Sequence, residues 1–455
     1  MQINPQIFKA YDIRGKYPEE LDRETVYNIA RAFSQMRQKE LNKENVTLVV
    51  GHDMRLSSPE LYESLKQGVV AQGANVVEIG LVATPTYYFA VSYYGYDGGL
   101  LISASHNPKE YNGVKIVRNQ ATPVGADSGM EELGKLAILG QFDTPSRQGI
   151  ITEKKGVLQE QIALALKYAD LEKIKPMKIV IDTANSMGIL YLEELFKHMS
   201  QLKIVRLNEK LDGSFPAHQS DPMQDELMGE LRQRIVEEKA DLGIATDGDG
   251  DRIFFFDNRG EKIEPAIMRG IIAKVFLRAS PGATICYDIR PGKITEDMVL
   301  EAGGKPLLTR VGHSLIKKRM IETSAIFGGE SSGHFFLKFP HGVYESPEIA
   351  TLKFLQELSE TNVDVYNYVR PLRKYFHSGE INFKVADKDK ILERLKEKFK
   401  DAKINPLDGL TFTYDDFWFN VRPSNTESLL RLNLEARTDE IMREKLDLVK
   451  KIITE

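Results

Sequence analysis

The chain has 455 residues, with 61 lysines plus arginines against 66 aspartates plus glutamates, a formal net charge of −5. Hydrophobic residues make up 42% and charged residues 28%, enough apolar material to build cores, which excludes a disordered chain. The slightly acidic balance argues against nucleic-acid binding through a general basic surface, and a lone cysteine, Cys286, excludes a disulfide scaffold.

At about 100–200 residues per domain, the length implies three or four domains. No apolar run reaches about 18 residues, so no membrane span is expected. The opening MQINPQIFKAYD has no apolar signal core, which makes a cytoplasmic location the expectation. Val26, Ile29, Ala30, Phe33 and Met36 recur at helical spacing and predict an amphipathic helix over 22–41. The β-branched run 46–50 reads as a buried strand ending at Gly51. A second helix is expected over 58–73, then strands at 76–79 and 99–102. Such alternation predicts a largely parallel, helix-covered sheet. The pattern restarts with a strand at 178–182, another at 241–245, a third at 284–287 and a fourth at 325–327 running into Gly328-Gly329. Beyond 366–376 the character changes: a strand at 378–386, an amphipathic helix within 388–403, strand patterns near 410–421 and 429–436, and a closing helix form a smaller α+β unit. Boundaries are expected near 145–156, 254–262 and 366–376.

In open α/β sheets ligands bind beyond the carboxyl ends of strands, so the loops there are the places to look for chemistry. Asp247-Gly248-Asp249-Gly250-Asp251-Arg252 follows a buried strand. Clustered carboxylates repel unless a cation neutralises them, and oxygen-only ligation favours a hard cation, Mg²⁺ or Ca²⁺. An EF-hand is excluded, because its sixth position holds Arg252 instead of glycine and its twelfth Asn258 instead of glutamate. A solvated acidic turn is the alternative. Ser103-Ala104-Ser105-His106-Asn107-Pro108 offers a serine nucleophile or phosphate carrier. Its flanks are not the G-x-S-x-G elbow of serine hydrolases, and alone it reads equally well as a hydrogen-bonded turn. Gly328-Gly329-Glu330-Ser331-Ser332-Gly333-His334 sets one carboxylate, two hydroxyls and an imidazole in one loop, a set suited to sugar hydroxyls or to a bare glycine turn. No P-loop occurs in the chain. Arg422-Pro423-Ser424-Asn425-Thr426 pairs an arginine fork with neutral donors, as a phosphate clamp would, or is a simple turn. The basic clusters 9–15, 51–55 and 310–314 are weak alone. Of the eight histidines, His106, His313 and His334 lie in these loops.

Together, a metal triad, a candidate phosphoserine, a polyhydroxyl-binding loop and a separate phosphate clamp are the parts needed to move a phosphoryl group between hydroxyls of one sugar. In order and content, S-A-S-H-N-P, D-G-D-G-D-R, G-E-S-S-G-H and R-P-S-N-T resemble the α-D-phosphohexomutase family, within it the bacterial phosphomannomutase/phosphoglucomutase group. The likeness runs from Tyr11 to Thr426. It implies three related α/β domains with mixed sheets plus a smaller C-terminal α+β domain around a central cleft, here 1–150, 151–255, 256–368 and 369–455. It further implies that Ser105 is phosphorylated, that Asp247, Asp249 and Asp251 bind Mg²⁺ with a phosphoserine oxygen, and that Glu330 and Ser332 bind sugar hydroxyls with His334 close by. Arg422, Ser424, Asn425 and Thr426 would hold the phosphate that is not reacting. Tyr11, Arg14, Lys115, Arg252 and His313 match positions around the reacting phosphate and sugar, with Lys115 and His313 the candidates for proton transfer or charge stabilisation.

The implied reaction is a pair of in-line phosphoryl transfers. Phospho-Ser105 would convert a hexose 1- or 6-phosphate to a bound hexose 1,6-bisphosphate, which turns around and returns the other phosphate to Ser105. Two departures stand out: Arg290 where relatives often carry lysine, and Ser331 where they often carry methionine or glutamine. With A-Y-D-I-R-G at 10–15, the latter favours mannose or glucose phosphates over glucosamine phosphate. A phosphoglucosamine mutase is the nearest alternative, and a Mg²⁺-dependent sugar phosphatase and a silent sugar-phosphate-binding protein are the further rival functions. The expected partner is a small phosphosugar, with neither nucleic acid nor membrane, and a monomer is favoured.

Overall fold

The computed structural model describes residues 3–290, 292–423 and 429–455. The chain gathers into two compact units, Met1–Ile263 with Ser332–Tyr366, and Glu264–Ser331 with Asn367–Glu455.

The first unit opens with β1 (Ile13–Lys16) and α1 (Arg23–Leu41). Asp22 caps α1 by accepting from the Thr25 N–H at 2.8 Å, and Asn42 ends it in the left-handed region. The expected stripe of Val26, Ile29, Ala30, Phe33 and Met36 is buried, and each large side chain among them contributes about 1.5–3 kcal/mol by leaving water. Then follow β2 (Thr47–His52), α2 (Ser58–Ala71), β3 (Asn75–Leu81), α3 (Thr84–Tyr93), β4 (Gly98–Ile102), β5 (Tyr111–Arg118), α4 (Met130–Leu139) and β6 (Ile151–Glu153). The strand order is β1-β5-β4-β2-β3-β6. β4, β2, β3 and β6 are parallel, whereas β5 is antiparallel to both β4 and β1. A second sheet takes α5 (Val157–Ala165), β7 (Lys178–Asp182), α6 (Gly188–Phe196), β8 (Lys203–Leu207), α7 (Gly229–Glu237), β9 (Leu242–Thr246) and β10 (Ile253–Phe256), in the order β10-β9-β7-β8. Here too β10 runs antiparallel to β9. Both sheets are therefore largely parallel, as expected, with the antiparallel members that make them the mixed sheets implied by the family likeness. The connections 103–110 and 247–252 are shorter than the dozen or so residues that a parallel crossover needs.

In the second unit, α8 (Pro265–Ala279), β11 (Thr284–Asp288), α9 (Lys293–Glu301), β12 (Lys305–Thr309), α10 (His313–Thr323) and β13 (Phe327–Gly329) form a parallel group with β11 between β12 and β13. Gly328 and Gly329 belong to β13 and are not the loop that the sequence suggests. A Cβ on Gly328 would lie 2.6 Å from the Met320 sulfur, so small residues let the strand continue under its helix. The chain then returns to the first unit with β14 (Phe335–Phe339), β15 (Gly342–Glu345) and α11 (Pro347–Glu360), followed by α12 (Val365–Val369). The C-terminal part of the second unit is an antiparallel sheet of β16 (Phe376–His377), β17 (Ile381–Lys384), β18 (Lys403–Asn405), β19 (Leu410–Thr413), β20 (Phe417–Pro423) and β21 (Leu429–Ala436), with α13 (Lys388–Lys398) and α14 (Asp439–Thr454) packed on it. The strand expected over 378–386 is broken into β16 and β17 at Gly379, whose φ is +68°, and both pieces pair with β21. The pattern at 410–421 is the β19–β20 hairpin. Among the described residues no helix is long and apolar enough to cross a membrane.

Candidate active site

In the first unit two hairpins bring the candidate residues together. β4 empties into the serine loop and returns as β5, where Lys115 pairs with Leu101. β9 empties into the aspartate loop and returns as β10. Ser105 is buried and sits at φ +50°, a left-handed conformation that a non-glycine residue holds only where its surroundings impose it. Those surroundings centre on Arg55. Its guanidinium donates to the carbonyls of Ser105 at 2.8 Å, Asn107 at 2.6 Å, Pro108 at 2.8 Å and Tyr111 at 3.0 Å. The Ser105 hydroxyl donates to Asp247 Oδ2 at 2.7 Å and lies 3.3 Å from His106 Nδ1. The close approach of the two loops requires glycine at 248, where a Cβ would stand 2.2 Å from the Ser105 carbonyl oxygen.

Asp247, Asp249 and Asp251 are buried, and one oxygen of each lies within 4.8 Å of the others. Thr84 Oγ1 donates to Asp249 Oδ2 at 2.5 Å. Lys115 Nζ reaches both Asp249 and Asp251 at 2.6 Å. Burial, reinforced by repulsion from Asp249 and Asp251, pushes the Asp247 carboxyl well above its usual range. For Asp251 burial works in the same direction, but Lys115 and His334 outweigh it and hold the group low. Asp249 Oδ1 is buried without a hydrogen-bond partner. A buried all-oxygen set with an orphaned carboxylate oxygen fits a hard divalent cation.

Arg14 forms an ion pair with Asp12 at 2.8 Å and donates to Asn107 Oδ1, which ties β1 to the serine loop. Tyr11, just before β1, is half-buried. Arg252 donates its backbone N–H to Asp247 Oδ1 at 3.1 Å, with its guanidinium 3.7 Å from Oδ2. Burial, with Arg252 and Arg14 nearby, holds His106 well below the ordinary histidine range and so neutral. His334 pairs with Asp251 Oδ1 at 3.1 Å through Nε2, while Nδ1 lies 3.0 Å from Ser332 Oγ.

Ser332 and His334 belong to the aspartate cluster of the first unit, and Glu330 belongs to the second. There, Glu330 Oε1 accepts from Gly312 N and forms an ion pair with Arg290 Nη2, each at 3.1 Å. Burial disfavours the charge of Arg290, but Asp288 and Glu330 prevail and raise its pKa. His313 opens α10. Arg422, the last residue but one of β20, donates to Glu380 Oε2 at 2.7 Å, and Arg431 approaches the other oxygen of that carboxylate at 3.3 Å. Ser424, Asn425 and Thr426 lie outside the described residues.

Sequence reasoning passed over Arg55, a weak basic cluster by eye, and Glu380. It also passed over Asp288, although an aspartate closing an apolar strand was a visible signal.

Four sequence models match in chain order: phosphoglucomutase/phosphomannomutase α/β/α domains I, II and III over residues 5–135, 159–260 and 265–375, and the C-terminal domain over 380–451. The chain is 37% identical to the phosphomannomutase of Vibrio cholerae, covering 98% of each chain. It is 36% identical to that of Methanocaldococcus jannaschii, over 98% of this chain and 97% of the relative. A phosphoglucomutase/phosphomannomutase family protein from Burkholderia thailandensis superposes with a TM-score of 0.89 at 30% identity, over 99% and 97% of the two chains. With the serine and aspartate loops joined as the geometry joins them, these matches establish that the chain belongs to the phosphoglucomutase/phosphomannomutase family of isomerases, the hexose phosphate mutases.

Proposed function

We propose that this enzyme interconverts hexose 1-phosphates and 6-phosphates of mannose, glucose or both, with Ser105 as the phosphoryl carrier. The observation that carries this reading is the Ser105 hydroxyl 2.7 Å from Asp247 in a strained turn clamped by Arg55. In the first transfer the P–O bond to Ser105 Oγ breaks as a new P–O bond forms to the free hydroxyl of the sugar monophosphate. The product is a hexose 1,6-bisphosphate, and the hydroxyl proton leaves to a base, for which His313 is the candidate. The second transfer reverses these events at the other phosphate after the sugar has turned. Asp247, Asp249 and Asp251 would hold Mg²⁺, which draws charge from the transferring oxygens when bound. Lys115, set between Asp249 and Asp251, and Arg14 and Arg252 supply fixed positive charge for the same group. Glu330 takes sugar hydroxyls, with Arg290 beside it, and Arg422 takes the phosphate that is not reacting. His334, with Ser332, keeps Asp251 in place.

Two experiments test the reading. Phosphopeptide analysis of the purified protein should place phosphate on Ser105. Ser105→Ala should lose at least about 10³-fold in turnover of glucose 1-phosphate with Mg²⁺ and glucose 1,6-bisphosphate. Full activity in that variant rejects the carrier role. Release of inorganic phosphate faster than isomerisation would favour the phosphatase.

A further inference from the structure

Asp288 closes β11 and is wholly buried. A buried carboxylate persists only if its lone pairs are met, and here four donors meet them. Oδ1 accepts from Arg269 Nη1, from the Ser331 backbone N–H at 3.1 Å and from the Ser331 hydroxyl at 2.8 Å. Oδ2 accepts from Arg290 Nε. Arg269 comes from α8, is itself fully buried, and also donates to Ser331 Oγ at 3.1 Å. Its stem crosses β13 at Gly329, where a Cβ would stand 2.5 Å from Arg269 Cγ. Arg290 turns its other edge to Glu330. One carboxylate therefore fixes the arginine that positions Glu330 and the residue that follows Glu330.

A serine hydroxyl has one proton to donate. That of Ser331 goes to Asp288, and one of its lone pairs takes Arg269. We propose that Asp288 is a positioning residue for sugar recognition, and that Ser331 affects the substrate only through it and not by a hydrogen bond to a sugar hydroxyl. This inference rests on the mutase reading above. It gives the Ser331 departure a meaning: the position sets how firmly Glu330 and Arg290 are held, whereas discrimination between epimers lies elsewhere.

The experiment measures kcat and KM for glucose 1-phosphate and mannose 1-phosphate in the unaltered enzyme, Ser331→Ala, Asp288→Asn, the double variant and Arg290→Lys. Ser331→Ala should lower kcat/KM for both sugars by one common factor of less than about tenfold, with their ratio changed by less than about twofold. Asp288→Asn should raise KM for both about tenfold or more with a smaller fall in kcat, and adding Ser331→Ala should cost no more than about twofold further. Arg290→Lys keeps the charge but loses the two-edged fork, so it should raise KM in the same way. A tenfold change in the sugar ratio of Ser331→Ala overturns the proposal, as do costs that multiply in the double variant. Ser331→Ala leaves Asp288 paired with both arginines, so its sugar ratio decides the matter even where Asp288→Asn fails to fold. Absence of turnover by the unaltered enzyme on either sugar overturns the mutase reading and this inference with it, whereas turnover with multiplying costs overturns the inference alone.

Discussion

Glu348 lies in the first turn of α11, 2% exposed, and its Oε2 has no hydrogen-bond partner. Burial pushes its carboxyl from the usual 4.5 up to about 7, while its own helix-terminal N–H and Gln161 oppose the shift without prevailing. Because the folded-state value is raised, the folded protein holds a proton that the unfolded chain releases near pH 4.5. The resulting stabilisation is complete below that pH and is lost as pH rises through about 7. A shift of about 2.5 units at 1.36 kcal/mol each amounts to about 3 kcal/mol in all, of which about 2 kcal/mol disappears between pH 5.5 and 8. Glu348→Gln replaces the acid with a neutral group of the same shape and removes the linkage. Urea unfolding of both proteins should therefore show a stability gap in favour of the variant that widens by about 2 kcal/mol between pH 5.5 and pH 8. An equal gap at the two pH values would refute the reasoning, because it would mean that Glu348 carries the same charge in both states of the chain.

Other outcomes follow from single contacts. Asp249→Asn removes the charge of the carboxylate that has an orphaned oxygen, and should raise the Mg²⁺ concentration for half-maximal activity at least about tenfold in a metal titration. Gly248→Ala drives a Cβ into the Ser105 carbonyl and should abolish phosphate on Ser105, read by intact mass, and cost about 1–3 kcal/mol in denaturant unfolding. Arg55→Met leaves Asp53 and four carbonyls without their guanidinium, and should cost about 3–5 kcal/mol in denaturant unfolding. Lys115→Met should lower kcat about 10²-fold or more with little change in KM, if its charge beside Asp249 and Asp251 acts on the transferring group as proposed.

Much of the local structure was legible in the sequence. Leu48-Val49-Val50 and Leu100-Leu101-Ile102 are buried strands because a β-branched or apolar run with no polar interruption can lie only inside a covered sheet. The helix at 23–41 followed from its stripe and from Asp22. The antiparallel direction of β5 and β10 was not legible in their own residues. β5 and β10 carry ordinary strand patterns, and only the short loops before them turn them antiparallel. The aspartate loop announced its chemistry because three carboxylates on alternating positions repel one another in any conformation. What the loop 330–334 could not announce is its partners: His334 pairs with Asp251, eighty-three residues earlier in the chain, and Ser332 with His334.

The sequence by itself determined which groups could carry phosphate, bind a divalent cation and recognise a sugar, since these depend on side-chain chemistry and on glycines that let backbones approach. Only the tertiary structure decided what each group is held by. Ser105 owes its turn to Arg55, fifty residues away on another strand's loop, and Asp251 its state to Lys115 and His334. Arg290 and Ser331 owe their orientation to Asp288. Hydrogen bonds and ion pairs act over about 3 Å in space and take no account of separation along the chain.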